Sequence, residues 1–171
     1  KFCKNNNLNF NIVSDVNSKK HISFLKTKKP NLSIVAGFSQ IFNSEAINIP
    51  TLGTINLHGG PLPNYRGGSP LNWQIINGED KIGVSLIIMN EGIDTGDIIS
   101  TKYFSLSLNQ DISHAHKFAN KLFSEMILEF LEKTKNNSIN LIKQIKSEGG
   151  YWHQRQDFDG EINWKLMHAH K

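Results

Sequence analysis

Cysteine is almost missing from this chain. Cys3 is the one thiol in 171 residues, which excludes an internal disulfide framework and fits a reducing, cytoplasmic compartment. Long apolar runs are missing too: no stretch approaches the ~20 residues a helix needs to cross a bilayer, so no membrane partner is expected. Metal-ligand spacing is lacking, with no HExxH and no paired cysteines. His114 and His116 are two apart, as are His168 and His170, which on a helix puts each pair on different faces. No metal is therefore expected. Neither GxGxxG nor GxxxxGK(S/T) occurs, so no nucleotide-phosphate loop is visible.

What is present describes one globular domain with a real core: 38% hydrophobic residues and a mean hydropathy of -0.37. The net charge of +4 comes from scattered lysines. Lys19, Lys20, Lys26, Lys28 and Lys29 form one loose cluster, and Lys133, Lys135, Lys143 and Lys146 another. Neither is interleaved with aromatics as a nucleic-acid surface is, so both read as solvated faces.

In chain order, residues 8–13 read as a short exposed strand, and Asn17 or Ser18 as the cap of a helix over 19–28, stopped by Pro30. Residues 32–38 read as a buried parallel strand, and 54–58 as the next strand after a short helix near 43–47. Ser69-Pro70 has the form of a helix start, and Asn77-Gly78 of its end. Strands are expected over 81–89 and 98–104, then a long helix from a cap at Asp111 or Ser113 to about 133. Its Phe118, Leu122, Met126 and Phe130 recur every fourth residue, which is core packing. Strands alternating with helices predict an α/β sheet, whose sites lie beyond strand ends. The expected division is a core over 1–150 and an extension over 151–171, with a final helix beginning near Trp164.

The chain is organised around Thr54-Ile-Asn-Leu-His-Gly-Gly-Pro-Leu-Pro-Asn-Tyr-Arg-Gly-Gly68. Asn56 and His58 are two apart on a strand and point to one side, and a glycine- and proline-rich loop follows. Asp94, flanked by Gly92 and Gly96 just past another strand, is the best partner for His58. A carboxylate orients the imidazole, and an Asn56 N–H can donate to a developing oxyanion. Together they suggest transfer of a carbonyl-containing group. Ser69 reads as a helix cap and Cys3 lies in a polar leader, so attack by an amine or water fits better than a covalent acyl-enzyme. The plainer alternative makes His58 a core histidine, and Asp94 and Asp97 ordinary turn acids.

At these residues the sequence resembles the 10-formyltetrahydrofolate-dependent formyltransferase family, which includes methionyl-tRNA, glycinamide ribonucleotide and sugar-nucleotide N-formyltransferases. The family's Asn-x-His followed by Leu-Pro-x-x-Arg-Gly is present as Asn56-Leu-His58 and Leu62-Pro-Asn-Tyr-Arg66-Gly67, and its later pattern as Gly83-Val84 and Asp94-Thr-Gly96. The resemblance implies a Rossmann-like α/β formyltransferase fold, with a mostly parallel sheet flanked by helices. It makes Asn56, His58 and Asp94 the catalytic residues. It places Phe38, Gln40, Ile41, Phe42, Gly92 and Ile93 around the pterin of the co-substrate 10-formyltetrahydrofolate. Pro61, Tyr65, Arg66, Trp73, Tyr151 and Arg155 become candidate contacts to the acceptor, with Arg66 also read as a clamp for its loop.

The resemblance further implies a βαβ unit ahead of position 1 and an accessory segment after 171. The expectation is thus a core truncated at both ends and not active alone. Where the family often has serine two residues after the histidine, this chain has Gly60. Asn72-Trp73 replaces the Gln-Arg usual in the tRNA enzyme, which favours a nucleotide-linked aminosugar as the acceptor. Methionyl-tRNA is the alternative acceptor. A non-catalytic remnant or partner subunit is the alternative of another class, and the oligomeric state, including a dimer, is left open.

Overall fold

The computed structural model describes residues 1–107, 109–145 and 148–161. A four-stranded sheet carries the architecture, with strands β1 (Ser33–Ala36), β2 (Thr54–His58), β4 (Ile82–Ile88) and β5 (Ile98–Phe104) in the order β1-β2-β4-β5. A second, two-stranded sheet pairs β3 (Arg66–Gly67) with β6 (Tyr151–Trp152) in parallel. The expectation of a mostly parallel sheet is corrected for the described residues. β1 and β2 are parallel, whereas β2–β4 and β4–β5 are antiparallel. For β4 and β5 the reason is connection length: residues 89–97 form a link without a helix, which suits a hairpin, whereas parallel pairing needs a longer crossover.

The helices are α1 (Phe2–Asn5), α2 (Lys19–Lys28), α3 (Ser44–Ile47), α4 (Pro70–Ile76) and α5 (Ile112–Lys135). Ser18 caps α2 by accepting from the His21 N–H, and Asn43 caps α3 by accepting from the Ala46 N–H. Asp111 caps α5 in a reciprocal box with His114. Ser69 does not cap α4: it sits at φ 49, and its hydroxyl instead accepts from Gln154 Nε2 and the Arg155 N–H. The expected strand over 8–13 is not formed either. Leu8 N–H bonds back to the Cys3 carbonyl, the Gln40 amide ties down Ser14 and Val16, and among the described residues the segment pairs with no strand.

Alternation along β2 and β4 sorts the sheet into two faces. Ile55, Val84 and Leu86 pack with Ala119, Met126 and Phe130 of α5 and with Leu71 of α4, forming the main core. The opposite face carries Asn56 and His58, whose cross-strand partners are Ile87 and Ser85. Leu62, Ile87 and Ile98 form a small apolar cluster there. β1 is less buried than expected: Ile34 is 46% exposed, because β1 is an edge strand that α5 does not fully cover. A cleft of about 550 Å³, lined in part by Ala36, Leu57, Phe123 and Ile127, opens between them.

Candidate active site

β2 delivers Asn56 and His58 to one face, and the loop after β4 doubles back across that face to reach them. Asp94 sits in this loop with φ 52, a left-handed conformation that Asp tolerates better than most residues. Gly96 allows the close approach: a Cβ there would lie 1.7 Å from the Ile88 carbonyl oxygen.

Asp94 is the hub. Its Oδ1 lies 3.4 Å from His58 Nδ1 and accepts from Asn56 Nδ2 at 3.3 Å. Its Oδ2 accepts from the Gly67 N–H at 2.9 Å. His58 Nε2 is 2.5 Å from the Tyr65 carbonyl oxygen, which can only accept, so Nε2 carries a hydrogen. Nδ1 is thereby the ring atom that faces the carboxylate. His58 is 5% exposed and Asp94 13% at the side chain, so the pair lies largely out of bulk water.

The loop between His58 and α4 is locked from several sides. Leu62 N–H donates to Ser85 Oγ. The Tyr65 ring stacks on Trp152 with centroids 5.5 Å apart, and its hydroxyl bonds to the Glu79 carboxylate and to Asn77 Nδ2. Burial and the Glu79 hydrogen bond push the Tyr65 hydroxyl above the usual tyrosine range, against a smaller opposing pull from Asn77. Arg66 gives Nε and Nη2 to Gln144 Oε1 at 3.1 and 2.8 Å, and Nη1 to the Glu148 carbonyl at 2.9 Å.

A model of the family described as "Formyl transferase" matches residues 3–131 of this sequence. The chain belongs to the formyl transferase family. Among curated relatives, the methionyl-tRNA formyltransferase of Clostridium acetobutylicum is 34% identical over 161 residues, covering 94% of this chain and 52% of that protein. The chain thus spans about half the length of the curated relatives it matches. Among solved structures, methionyl-tRNA formyltransferase from Clostridium thermocellum aligns with a TM-score of 0.72 at 25% identity, over 96% of this chain and 70% of that one. The formyltransferase PseJ from Anoxybacillus kamchatkensis, solved with UDP-4,6-dideoxy-4-formamido-L-AltNAc and tetrahydrofolate, has the same fold. It aligns with a TM-score of 0.70 at 21% identity, over 89% of this chain and 78% of that one.

Set against the sequence expectations, this chain of the formyl transferase family brings both Asn56 and His58 to the Asp94 carboxylate. The expected cofactor residues divide. Phe38, Ile41 and Ile93 are substantially exposed, and the Phe38 and Phe42 rings lie 5.4 Å apart. Gly92 lines a cleft of about 440 Å³ with Ile47, Met89 and Thr95. The Gln40 side chain is spent internally, accepting from Val16 N–H and donating to the Ser14 carbonyl.

The expected acceptor contacts divide as well. Tyr65, Arg66 and Trp73 are buried and bonded within the protein, Trp73 Nε1 donating to the His153 carbonyl, so these three hold the loop and its packing seam. Pro61 lies against Gly83. Tyr151 and Arg155 are exposed. Trp164 and the final helix lie outside the described residues.

Two glutamines escaped the sequence reading. Gln74, fully buried, accepts from the Gly83 N–H at 2.6 Å and donates to the carbonyls of Gly83, Gly59 and Pro70. Gln144 bridges Arg66 to the backbone around Asp94. A glutamine in an apolar helix stretch was the available signal for the first; nothing in the local sequence marks the second.

Proposed function

We propose that the protein containing this chain transfers a formyl group from 10-formyltetrahydrofolate to a primary amine, and that this amine belongs to methionyl-tRNA. The observation that carries the chemistry is the convergence of Asn56 and His58 on one oxygen of Asp94. The folate supplies a formyl group bonded to nitrogen and activated for attack. The exposed Phe38 ring beside the half-buried Phe42, with exposed Ile41 in the same loop and exposed Ile93 in the loop after β4, suits the flat face of a pterin.

Asn56 Nδ2 spends one hydrogen on Asp94, and its second is available to the formyl oxygen as negative charge develops there. The amine nitrogen bonds to the formyl carbon, the bond from that carbon to the folate nitrogen breaks, and the amine's proton ends on the folate nitrogen. His58 Nδ1 and Asp94 carry that proton, while the Tyr65 carbonyl keeps Nε2 protonated and the ring fixed. No covalent acyl-enzyme is needed.

The acceptor assignment rests on the curated relatives, which are methionyl-tRNA formyltransferases. The Trp73 that favoured a sugar nucleotide is buried against Trp152 and answers to packing. One observation keeps the sugar reading as second: Ser69, Asn72, Gln154 and Arg155 line a polar cleft of about 440 Å³ beside the loop. The test is to measure tetrahydrofolate release by the full-length protein with methionyl-tRNA and with aminosugar nucleotides in parallel. Release with the tRNA alone is the expected result. Release only with a sugar nucleotide overturns the acceptor assignment, and release with neither overturns the reaction.

A further inference from the structure

We infer that Gln144 is a positioning residue for formyl transfer, acting through the backbone of Asp94; the inference rests on the catalytic reading above. The geometry is a two-ended clamp. At one end Gln144 Nε2 donates to the Asp94 carbonyl at 2.9 Å and to the Gly96 carbonyl at 2.6 Å. At the other end its Oε1 accepts from both Nε and Nη2 of Arg66. An amide has two hydrogens and two lone pairs, and here all four are used.

Those bonds fall where the site needs them. Asp94 holds a left-handed backbone conformation, which costs energy for a residue with a side chain and persists only when its surroundings over-determine it. The two carbonyls gripped by Nε2 flank Thr95 and fix the peptide planes on both sides of this turn. The carboxylate thereby stays within 3.4 Å of His58 Nδ1 and on the Gly67 N–H. Arg66, immediately before Gly67, anchors the other end. Gln144 therefore joins the loop that presents the Tyr65 carbonyl to His58 with the loop that presents the Asp94 carboxylate. The clamp needs a donor and an acceptor on one side chain: glutamate accepts from Arg66 but cannot donate to the two carbonyls, and alanine does neither.

The test uses the full-length protein and reads kcat and KM separately. Gln144→Glu and Gln144→Ala should each lower kcat on the order of 10²-fold, the cost of a small misplacement of a catalytic group, with KM for both substrates little changed. Gln144→Glu retains a partner for Arg66 and keeps the test open if the alanine variant fails to fold. In an Asp94→Asn background, Gln144→Ala should cost little further, because residues acting as a unit are non-additive.

If Asp94→Asn turns over like wild type, the catalytic reading and this inference fall together. If Asp94→Asn is impaired but Gln144→Glu matches wild type, the inference alone falls. It also falls if Gln144→Ala costs the same factor in both backgrounds.

Discussion

At the scale of single residues, much of the site depends on where small backbone groups lie. A Cβ at Gly60 would sit 2.6 Å from Tyr65 Cβ and 2.8 Å from the Tyr65 carbonyl oxygen, the atom that holds His58 Nε2. Gly60→Ala is therefore expected to lower both thermal stability and turnover, and wild-type values for both would contradict the packing described here. Tyr65 itself makes a pH prediction. Its hydroxyl is held neutral in the folded state by burial and by Glu79, so its folded pKa lies above the unfolded value of about 10. The group's contribution is fully present below about pH 10 and lost as pH rises through the folded pKa. Tyr65→Phe should flatten the alkaline fall in stability, measured by denaturant unfolding from pH 8 to 11; an unchanged slope would contradict the assignment. The convergence of Asn56 and His58 on Asp94 was legible in the sequence because period-2 spacing places the first two together and glycines bracket the third. The roles of Tyr65 and Gln144 were not legible, because one acts through a carbonyl and the other across 50 residues of chain.

Among the elements, α5 and the central strands follow from local pattern, with one correction to the expected core stripe. Met126 and Phe130 are buried and Leu122 half-buried, but Phe118 is 37% exposed against Phe104, and the small Ala115 and Ala119 fill the core near the start of the helix instead. β5 matches the expected span of 98–104, and α4 ends at Asn77-Gly78 as composition suggests. The misreadings occur where tertiary partners decide. The 8–13 segment has strand-like composition but pairs with no strand among the described residues, and Ser69 gives its hydroxyl to the segment at 154–155 in place of capping α4. Strand direction was equally hidden, because period-2 alternation is the same in parallel and antiparallel pairs. α4 is fixed by Gln74, which satisfies both backbone groups of Gly83 and the Gly59 carbonyl beside His58. Removing that side chain strands buried backbone groups at a cost of roughly 1–3 kcal/mol or more. Gln74→Ala should lose stability by that order in equilibrium unfolding, whereas a loss under about 0.5 kcal/mol, the range of ordinary surface changes, would contradict the role.

The whole molecule presents two unlike faces. One is closed by α4 and α5 over the main core, and the other carries the site under its two loops. Segment 151–152 is joined to the core through β3, and Trp152 packs between Tyr65 and Trp73, so the aromatic extension foreseen at 151 is part of the loop's support. No helix among the described residues is long and apolar enough to cross a membrane. Beside β1, Ile34 and Phe38 are exposed next to the 550 Å³ cleft, an apolar surface of the kind that soluble dyes recognise. The 171 residues expressed alone are expected to enhance ANS fluorescence in the folded state; no enhancement would contradict an open β1 edge. The central claim is that Asn56, His58 and Asp94 perform formyl transfer, and its most direct measurement is turnover by His58→Asn in the full-length protein. Loss of tetrahydrofolate release from a variant that still folds and unfolds cooperatively is the predicted result, and activity that survives the substitution would contradict the account.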